Sequence, residues 1–156
     1  MHFFSDLGYE VIEDIVRITE YHKRDERLEW DLFHLSHHSS YKSLAEEKGE
    51  NKTDPVSRVA KLFENHSEHR ARMISTSEPI PSEDTKQPPH RQAANYYRDV
   101  ADDINGEYTV TMEHPSIKNP KPIIIEIDDD GSTLRKDIGT GVGPIGSSAA
   151  PRAGRR

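Results

Sequence analysis

A helical spacing of apolar residues near the N-terminus constrains the fold more than any other feature. These residues are spaced three and four positions apart and form a stripe: Leu7, Val11, Ile15, Ile18 and His22. Side chains three and four positions apart share one face of a helix, so the spacing predicts an amphipathic helix over residues 7–24. Such a helix needs a partner surface, and we expect it to mediate self-association, with two copies of the chain pairing through it.

The apolar spacing persists beyond this helix. It continues through Leu28, Leu32 and Leu35, which predicts further helix. A short helix is then expected at about 40–48, where Gly49 would end it in a left-handed conformation. Helix is therefore predicted over most of the first 50 residues.

The next helix has the strongest start signal in the chain. Asp54 can cap its N-terminus, and Pro55 suits its first position because proline has no N–H to leave unsatisfied. The apolar residues that follow are Val56, Val59, Ala60, Leu62 and Phe63. We expect this helix to reach about Ile74.

The C-terminal half changes character along its length. Residues 77–90 are rich in Pro and Ser and predict a linker, and residues 91–131 predict a helix followed by a β-hairpin. In that hairpin, alternating residues from Tyr108 to Met112 form one strand and 121–127 the other. Residues 132–156 lose the apolar pattern and predict a disordered tail.

Together these segments predict a mainly α fold with a small C-terminal β-hairpin, of the α+β class. Residues 1–76 would form a helical domain. Hydrophobic residues make up 32% of the chain, which is enough for one modest core, and charged residues make up 31%.

Several function classes are excluded or disfavoured. The chain has no cysteine, which excludes disulfides, thiolate catalysis and Cys-ligated zinc. No apolar run approaches the roughly 20 residues of a spanning helix, and acidic residues interrupt any N-terminal signal-like segment. We therefore expect a cytoplasmic protein without a membrane partner. No residue set suggests catalysis, and no cofactor is predicted.

Residues 32–63 contain the most specific pattern. Residues 43–49 read SLAEEKG, a polar turn follows, and residues 56–63 read VSRVAKLF. This stretch resembles the helix-turn-helix of small transcription regulators of the winged-helix kind. The resemblance implies a helix pair within residues 40–74 whose second helix enters the major groove of double-stranded DNA.

The candidate DNA-contacting residues follow from that resemblance and from local charge. Ser57, Arg58 and Lys61 would face outward from the second helix, and Arg70 and Arg72 would add positive charge. The net charge of the chain is −7, but residues 55–76 carry four basic residues against two acidic ones, a net of +2. A local basic surface can bind DNA even on an acidic protein.

Other functions remain open at this point. An ordinary helix pair would suit a non-enzymatic interaction, adaptor or assembly protein. A His-liganded metal site is a further alternative, because histidines three and four positions apart share a helix face. The candidate ligands for it are His34, His37, His38, His66 and His69.

Overall fold

The computed structural model describes residues 1–3, 6–128 and 131–135 of the chain. Three α-helices and six strands are present in this part: β1 His2–Phe3, α1 Tyr9–Tyr21, β2 Trp30–His34, α2 Ser57–Glu64, β3 Ser67–Ser75, α3 Arg91–Asp103, β4 Glu107–Val110, β5 Ile125–Asp128 and β6 Gly131–Leu134. Two 3₁₀ turns follow β2, at Ser36–His38 and Tyr41–Ser43, and one follows β4, at Thr111–Glu113.

The first four strands form one parallel sheet in chain order, β1-β2-β3-β4. Phe33 of β2 lies opposite Met73 of β3, and Met73 lies opposite Tyr108 of β4. Every connection between neighbouring strands contains an α-helix, as parallel pairing requires. The carboxyl ends of the strands therefore meet at one edge of the sheet.

The helices pack on one face of this sheet and form the main core. Trp30 is completely buried there, and its Nε1–H donates to the backbone oxygen of Leu62 in α2 at 2.9 Å. Its ring meets the rings of Phe33 and Phe63 edge-on, with centroids 5.1 and 6.0 Å away. Aromatic edge-to-face contacts and apolar burial thus join β2 to α2.

The C-terminal hairpin lies on the opposite face of the sheet. β5 and β6 pair antiparallel, with Ile125 opposite Leu134. Leu32 and Ile74, on neighbouring strands, line a space that Ile125 also lines. A parallel sheet is normally covered on both faces, and this hairpin region supplies part of the second cover.

The prediction of a mainly α fold with a small C-terminal hairpin is wrong, because a parallel β-sheet organises the molecule. Two predicted helices are present: 7–24 corresponds to α1, and the helix after the linker corresponds to α3. In the predicted continuation through Leu28, Leu32 and Leu35, Leu32 lies instead in strand β2, which begins after Leu28 and ends just before Leu35. Residues on both faces of β2 are buried, so the strand lacks the alternation that identifies a half-exposed strand.

The helices predicted at 40–48 and up to Ile74 are also largely replaced. Only a 3₁₀ turn, Tyr41–Ser43, forms in the first segment, although Gly49 does adopt the expected left-handed backbone with φ of 76°. In the second segment α2 ends at Glu64, and β3 takes up the rest. Residues 71–75 alternate between the two sheet faces, which is the strand period that the helical prediction overlooked.

The predicted hairpin has the wrong strand pairing. β4 pairs in parallel with β3, and the segment after Pro120 pairs with β6. Residues 77–90 connect β3 to α3 without a helix or strand, yet Ser77 and His90 are buried. Of the predicted disordered tail, 132–134 belong to β6, and 136–156 lie outside the described residues. Among the described helices, none is long and apolar enough to span a membrane.

Candidate ligand-binding site

Three strands end together at the carboxyl edge of the sheet and carry polar residues into one place. The segment after β2 contains His37, His38 and Ser39, which have φ values of 49°, 54° and 59°. A left-handed backbone costs roughly 1–2 kcal/mol for each non-glycine residue. Three such residues in a row are therefore a strained segment, of the kind that concentrates at functional sites.

Hydrogen bonds from the surrounding structure hold this strained segment. The backbone N–H of His90 donates to the backbone oxygen of Ser39 at 3.1 Å. The hydroxyl of Ser43 donates to the backbone oxygen of Ser36 at 3.3 Å. The chain between β3 and α3 therefore helps to fix the turn after β2.

A row of hydroxyl groups, buried except for the partly buried Tyr108, links the ends of β2 and β3 to strand β4. The Ser39 hydroxyl donates to Ser75 Oγ at 2.8 Å, and the Ser75 hydroxyl donates to Ser77 Oγ at 2.9 Å. Ser39 Oγ also lies 2.9 Å from the Tyr108 hydroxyl. Because the Ser39 hydrogen is already used, Tyr108 is the donor in that last bond. The row then runs in one direction from Tyr108 to Ser77.

Tyr108 stays protonated in this environment. Burial raises the pKa of its phenol, and the hydrogen bond with Ser39 opposes that rise only in part. Its ring stacks on that of Tyr97 with centroids 5.9 Å apart. A neutral Tyr108 is the donor that the row of hydroxyls requires.

The His38 ring has a defined orientation at the same edge. Its Nδ1 hydrogen-bonds the backbone oxygen of Thr76. A carbonyl oxygen can only accept, so Nδ1 carries the hydrogen, and in the neutral ring Nε2 carries the lone pair. The Nε2 atom of a neutral His38 is thus an acceptor, a base or a donor atom for a metal.

These groups surround a cleft of about 420 Å³ at the carboxyl edge, which we call the His38 cleft. Its lining residues are His38, Thr76, Ser77, Glu78, Pro88, Pro89, Thr111 and Met112. The cleft combines a ring nitrogen acceptor, a hydroxyl group and a carboxylate against a partly apolar wall. A mixture of this kind suits a small polar molecule.

His90 directly follows Pro89, which lines the cleft. Its ring is buried, and it meets the Tyr41 ring edge-on with centroids 4.9 Å apart. Burial lowers the pKa of His90, and a backbone contact with Lys86 offsets this only in part. His90 is therefore a neutral packing residue at neutral pH.

The residues predicted to contact DNA are divided between two places. Arg58 and Lys61 of α2 are partly exposed, and both form ion pairs with Glu20 of α1, at 3.2 and 2.5 Å. The hydrogen bond from Lys61 lowers the pKa of Glu20, and the same bond raises the pKa of Lys61. Ser57 is exposed at the first position of α2.

Arg70 and Arg72 lie in β3 and not in α2. Residues 68–71 bulge opposite the single residue Asp31, and Arg70 has φ of 68° within this bulge. Arg72 forms an ion pair with Glu107. Both arginines line a polar cavity of about 390 Å³ that also contains Glu68 and Asp31. The five predicted residues do not form one continuous basic surface.

The candidate metal ligands are also separated. His34 Nε2 lies 3.2 Å from the Thr76 hydroxyl, whereas His38 Nδ1 bonds the backbone oxygen of the same residue. His69 Nε2 lies 3.4 Å from the Asn105 side-chain nitrogen, and the buried His66 Nε2 has no hydrogen-bond partner among the residues that the structure describes. Within the described residues, no group of three or more His, Asp or Glu side chains could hold a metal ion.

Sequence reasoning missed the His38 cleft because it did not identify the strands. A buried apolar segment that ends in polar residues, as residues 30–40 do, is typical of a parallel strand followed by a functional loop. Polar residues also follow Ile74, which is the same pattern of a strand that ends in a functional loop. Once both segments are strands, their polar ends necessarily meet.

The chain matches no protein-family model, and no significant similarity relates it to a curated protein or to a solved structure.

Proposed function

We propose that this protein binds a small molecule carrying a hydroxyl group in the His38 cleft. Ligands of open parallel α/β sheets bind outside the carboxyl ends of the strands, which is where the cleft lies. Its volume of about 420 Å³ falls within the range typical of small-molecule sites.

The observation that carries the proposal is the hydrogen bond from His38 Nδ1 to the Thr76 backbone oxygen. It fixes the ring, and in the neutral ring it leaves Nε2 as an acceptor. Ser77, at the end of the row of hydroxyls, supplies a group that can donate. A ligand hydroxyl can donate to His38 and accept from Ser77, because a hydroxyl group does both.

Charge narrows the ligand class further. None of the described residues lining the cleft is Lys or Arg, and Glu78 is among them. A carboxylate or phosphate would therefore enter without a cationic partner and beside a like charge. The proposed ligand is uncharged at the group that meets His38.

The test is a titration with 1,2-propanediol in which binding is monitored through the amide chemical shifts of the protein. We expect saturable shifts at His38, Thr76, Ser77 and Glu78. His38→Ala should weaken the apparent affinity about tenfold or more, since a directed hydrogen bond contributes roughly 1–1.5 kcal/mol and displaced packing adds to the loss.

His22→Ala is the matched control, because His22 is exposed at the end of α1 and is not among the residues that line the cleft. It should leave the titration unchanged. Shifts that scatter over the surface without saturating, or an unchanged affinity in His38→Ala, would contradict the proposed site.

DNA binding stays a second candidate through the basic residues of α2. The helix pair that the helix-turn-helix resemblance implied does not form, because only the 3₁₀ turn Tyr41–Ser43 forms where the first helix of that pair was expected before α2. Arg58 and Lys61 retain about 40% side-chain exposure despite their ion pairs, so both can reach a phosphate if they leave Glu20. Surface ion pairs of this kind are weak, typically 0–1 kcal/mol in order of magnitude. DNA binding therefore stays a prediction that depends on α2.

A further inference from the structure

A second cavity lies directly beside the His38 cleft. Its volume is about 330 Å³, and it lies between the sheet face of Leu32 and Ile74 and the segment that enters the C-terminal hairpin. That segment contributes alternate residues from one side: Ile123, Ile125 and Ile127. We call this cavity the isoleucine groove.

The polar groups of the isoleucine groove are all histidine or threonine. They are His34, Thr76 and Thr111, and the rest of its described lining is Leu or Ile. His34 Nε2 lies 3.2 Å from the Thr76 hydroxyl. The groove therefore offers an apolar wall with a small number of polar groups, as small-molecule sites generally do.

The two cavities share part of their walls. Thr76 and Thr111 line both the isoleucine groove and the His38 cleft. Thr76 also contacts both histidines, since its hydroxyl meets His34 and its backbone oxygen meets His38. A molecule held at His38 thus has an apolar space next to it, across Thr76 and Thr111.

We propose that the cleft and the groove act as one site for an amphipathic alcohol. Its hydroxyl group binds in the His38 cleft, and its alkyl chain extends past Thr76 and Thr111 into the isoleucine groove. This inference rests on the proposed function and adds the class of ligand to it.

The apolar side chains of the groove favour an alkyl chain for a physical reason. Ile127 is 57% exposed, and Ile123 and Ile125 are partly exposed. A chain that covers them removes apolar surface from water, both its own and that of the isoleucines. Since no described lining residue of either cavity is Lys or Arg, a fatty acid or a phospholipid headgroup lacks a charge partner here.

The experiment titrates the full chain with ethanol, butanol, hexanol and octanol. Binding is monitored through the NMR signals of the isoleucine methyl groups and of the His38 amide. We expect both sets of signals to shift together. The affinity should rise about three- to fourfold for each added CH₂ group, the increment typical of burying a methylene.

Two neighbouring variants separate the groove from a general surface effect. Ile127→Ser should weaken octanol binding about fivefold and leave ethanol binding unchanged. Ile124→Ser is the matched control, because Ile124 is 44% exposed and does not line the groove. It should leave octanol binding unchanged. Thermal unfolding of each variant verifies that it is folded, and Ile123→Ser serves as a second groove variant.

The outcomes separate this inference from the proposed function. If every alcohol shifts His38 with the same affinity whatever its length, the groove inference is overturned and the proposed function stands. If no alcohol shifts His38 or its neighbours, both fail. Equal losses in Ile127→Ser and Ile124→Ser would also overturn the groove.

Discussion

The turn after β2 shows how individual residues build the site. His37, His38 and Ser39 all adopt a left-handed backbone, and this unfavourable conformation directs the His38 ring to the Thr76 backbone oxygen. The sequence alone indicated His37 and His38 as candidate metal ligands. It could not indicate the partner, since Thr76 lies 38 residues further along the chain.

His90 provides a residue-scale prediction about pH. Burial lowers its pKa below the ordinary value of 6.5, so the folded protein favours the neutral ring. The neutral His90 ring therefore contributes fully to the stability of the folded protein above about pH 6.5. This contribution is lost as the pH falls towards the folded-state pKa. We expect the free energy of unfolding to decrease in this window, by at most about 1.4 kcal/mol per pH unit for one proton.

Denaturant unfolding at pH 7.5, 6.5 and 5.5, followed by Trp30 fluorescence, measures this dependence. His90→Phe keeps an aromatic ring beside Tyr41 but does not titrate. The free energy of unfolding of this variant should therefore depend less steeply on pH. Some slope should remain, because burial also lowers the pKa of His2. The control is His22→Phe at an exposed position. Identical slopes in wild type and His90→Phe would contradict the assignment.

At the scale of elements, the helices were predictable and most strands were not. α1 and α3 have local apolar spacing that the sequence displays directly. β2 is buried on both faces and reads equally well as helix. Its identity depends on pairing with β3, which begins more than 30 residues later. Such nonlocal pairing leaves no period in a short segment.

α2 carries the prediction of DNA binding. Arg58 and Lys61 share one carboxylate, Glu20, and a phosphate backbone would compete with it. Glu20→Gln should therefore strengthen salt-sensitive binding to random duplex DNA, and the pair Arg58→Ala and Lys61→Ala should abolish most of it. Each lost phosphate contact should reduce the slope of log affinity against log salt by about 1.

Gel-shift titrations at several salt concentrations give these slopes. Lys52→Ala is a suitable control, because Lys52 is a partly exposed cation that pairs with Asp99 on α3 instead. Absence of salt-sensitive binding at low ionic strength would remove DNA binding as a candidate. Equal effects of the Lys52 and Lys61 variants would remove the role of α2.

At the scale of the whole molecule, the parallel sheet determines which surfaces are available. It brings the ends of β2, β3 and β4 together and so creates the His38 cleft, which no single segment contains. It also determines which face of α1 is buried. Ile12 and Val16 point to the core, whereas the predicted stripe of Val11, Ile15 and Ile18 lies to one side of them.

This leaves an apolar stripe on the outside of α1. Val11, Ile18 and Tyr21 are 47%, 50% and 81% exposed. In an antiparallel pair of α1 helices, Val11 of one copy would face Ile18 of the other, and Asp14 would lie near Arg17 of the second copy. Apolar contact and opposite charges would then both favour pairing.

We therefore expect weak self-association through α1. The helix has 13 residues and is about 20 Å long, so it buries less than the roughly 800 Å² per partner of a stable interface. Sedimentation at increasing concentration should show a dimer only well above micromolar protein, and Ile18→Asp should shift it to monomer. Ile117→Asp, at another exposed isoleucine, is the control and should leave the dimer unchanged. A wild-type protein that stays monomeric up to millimolar concentration would contradict the prediction, as would an equal loss of dimer in both variants.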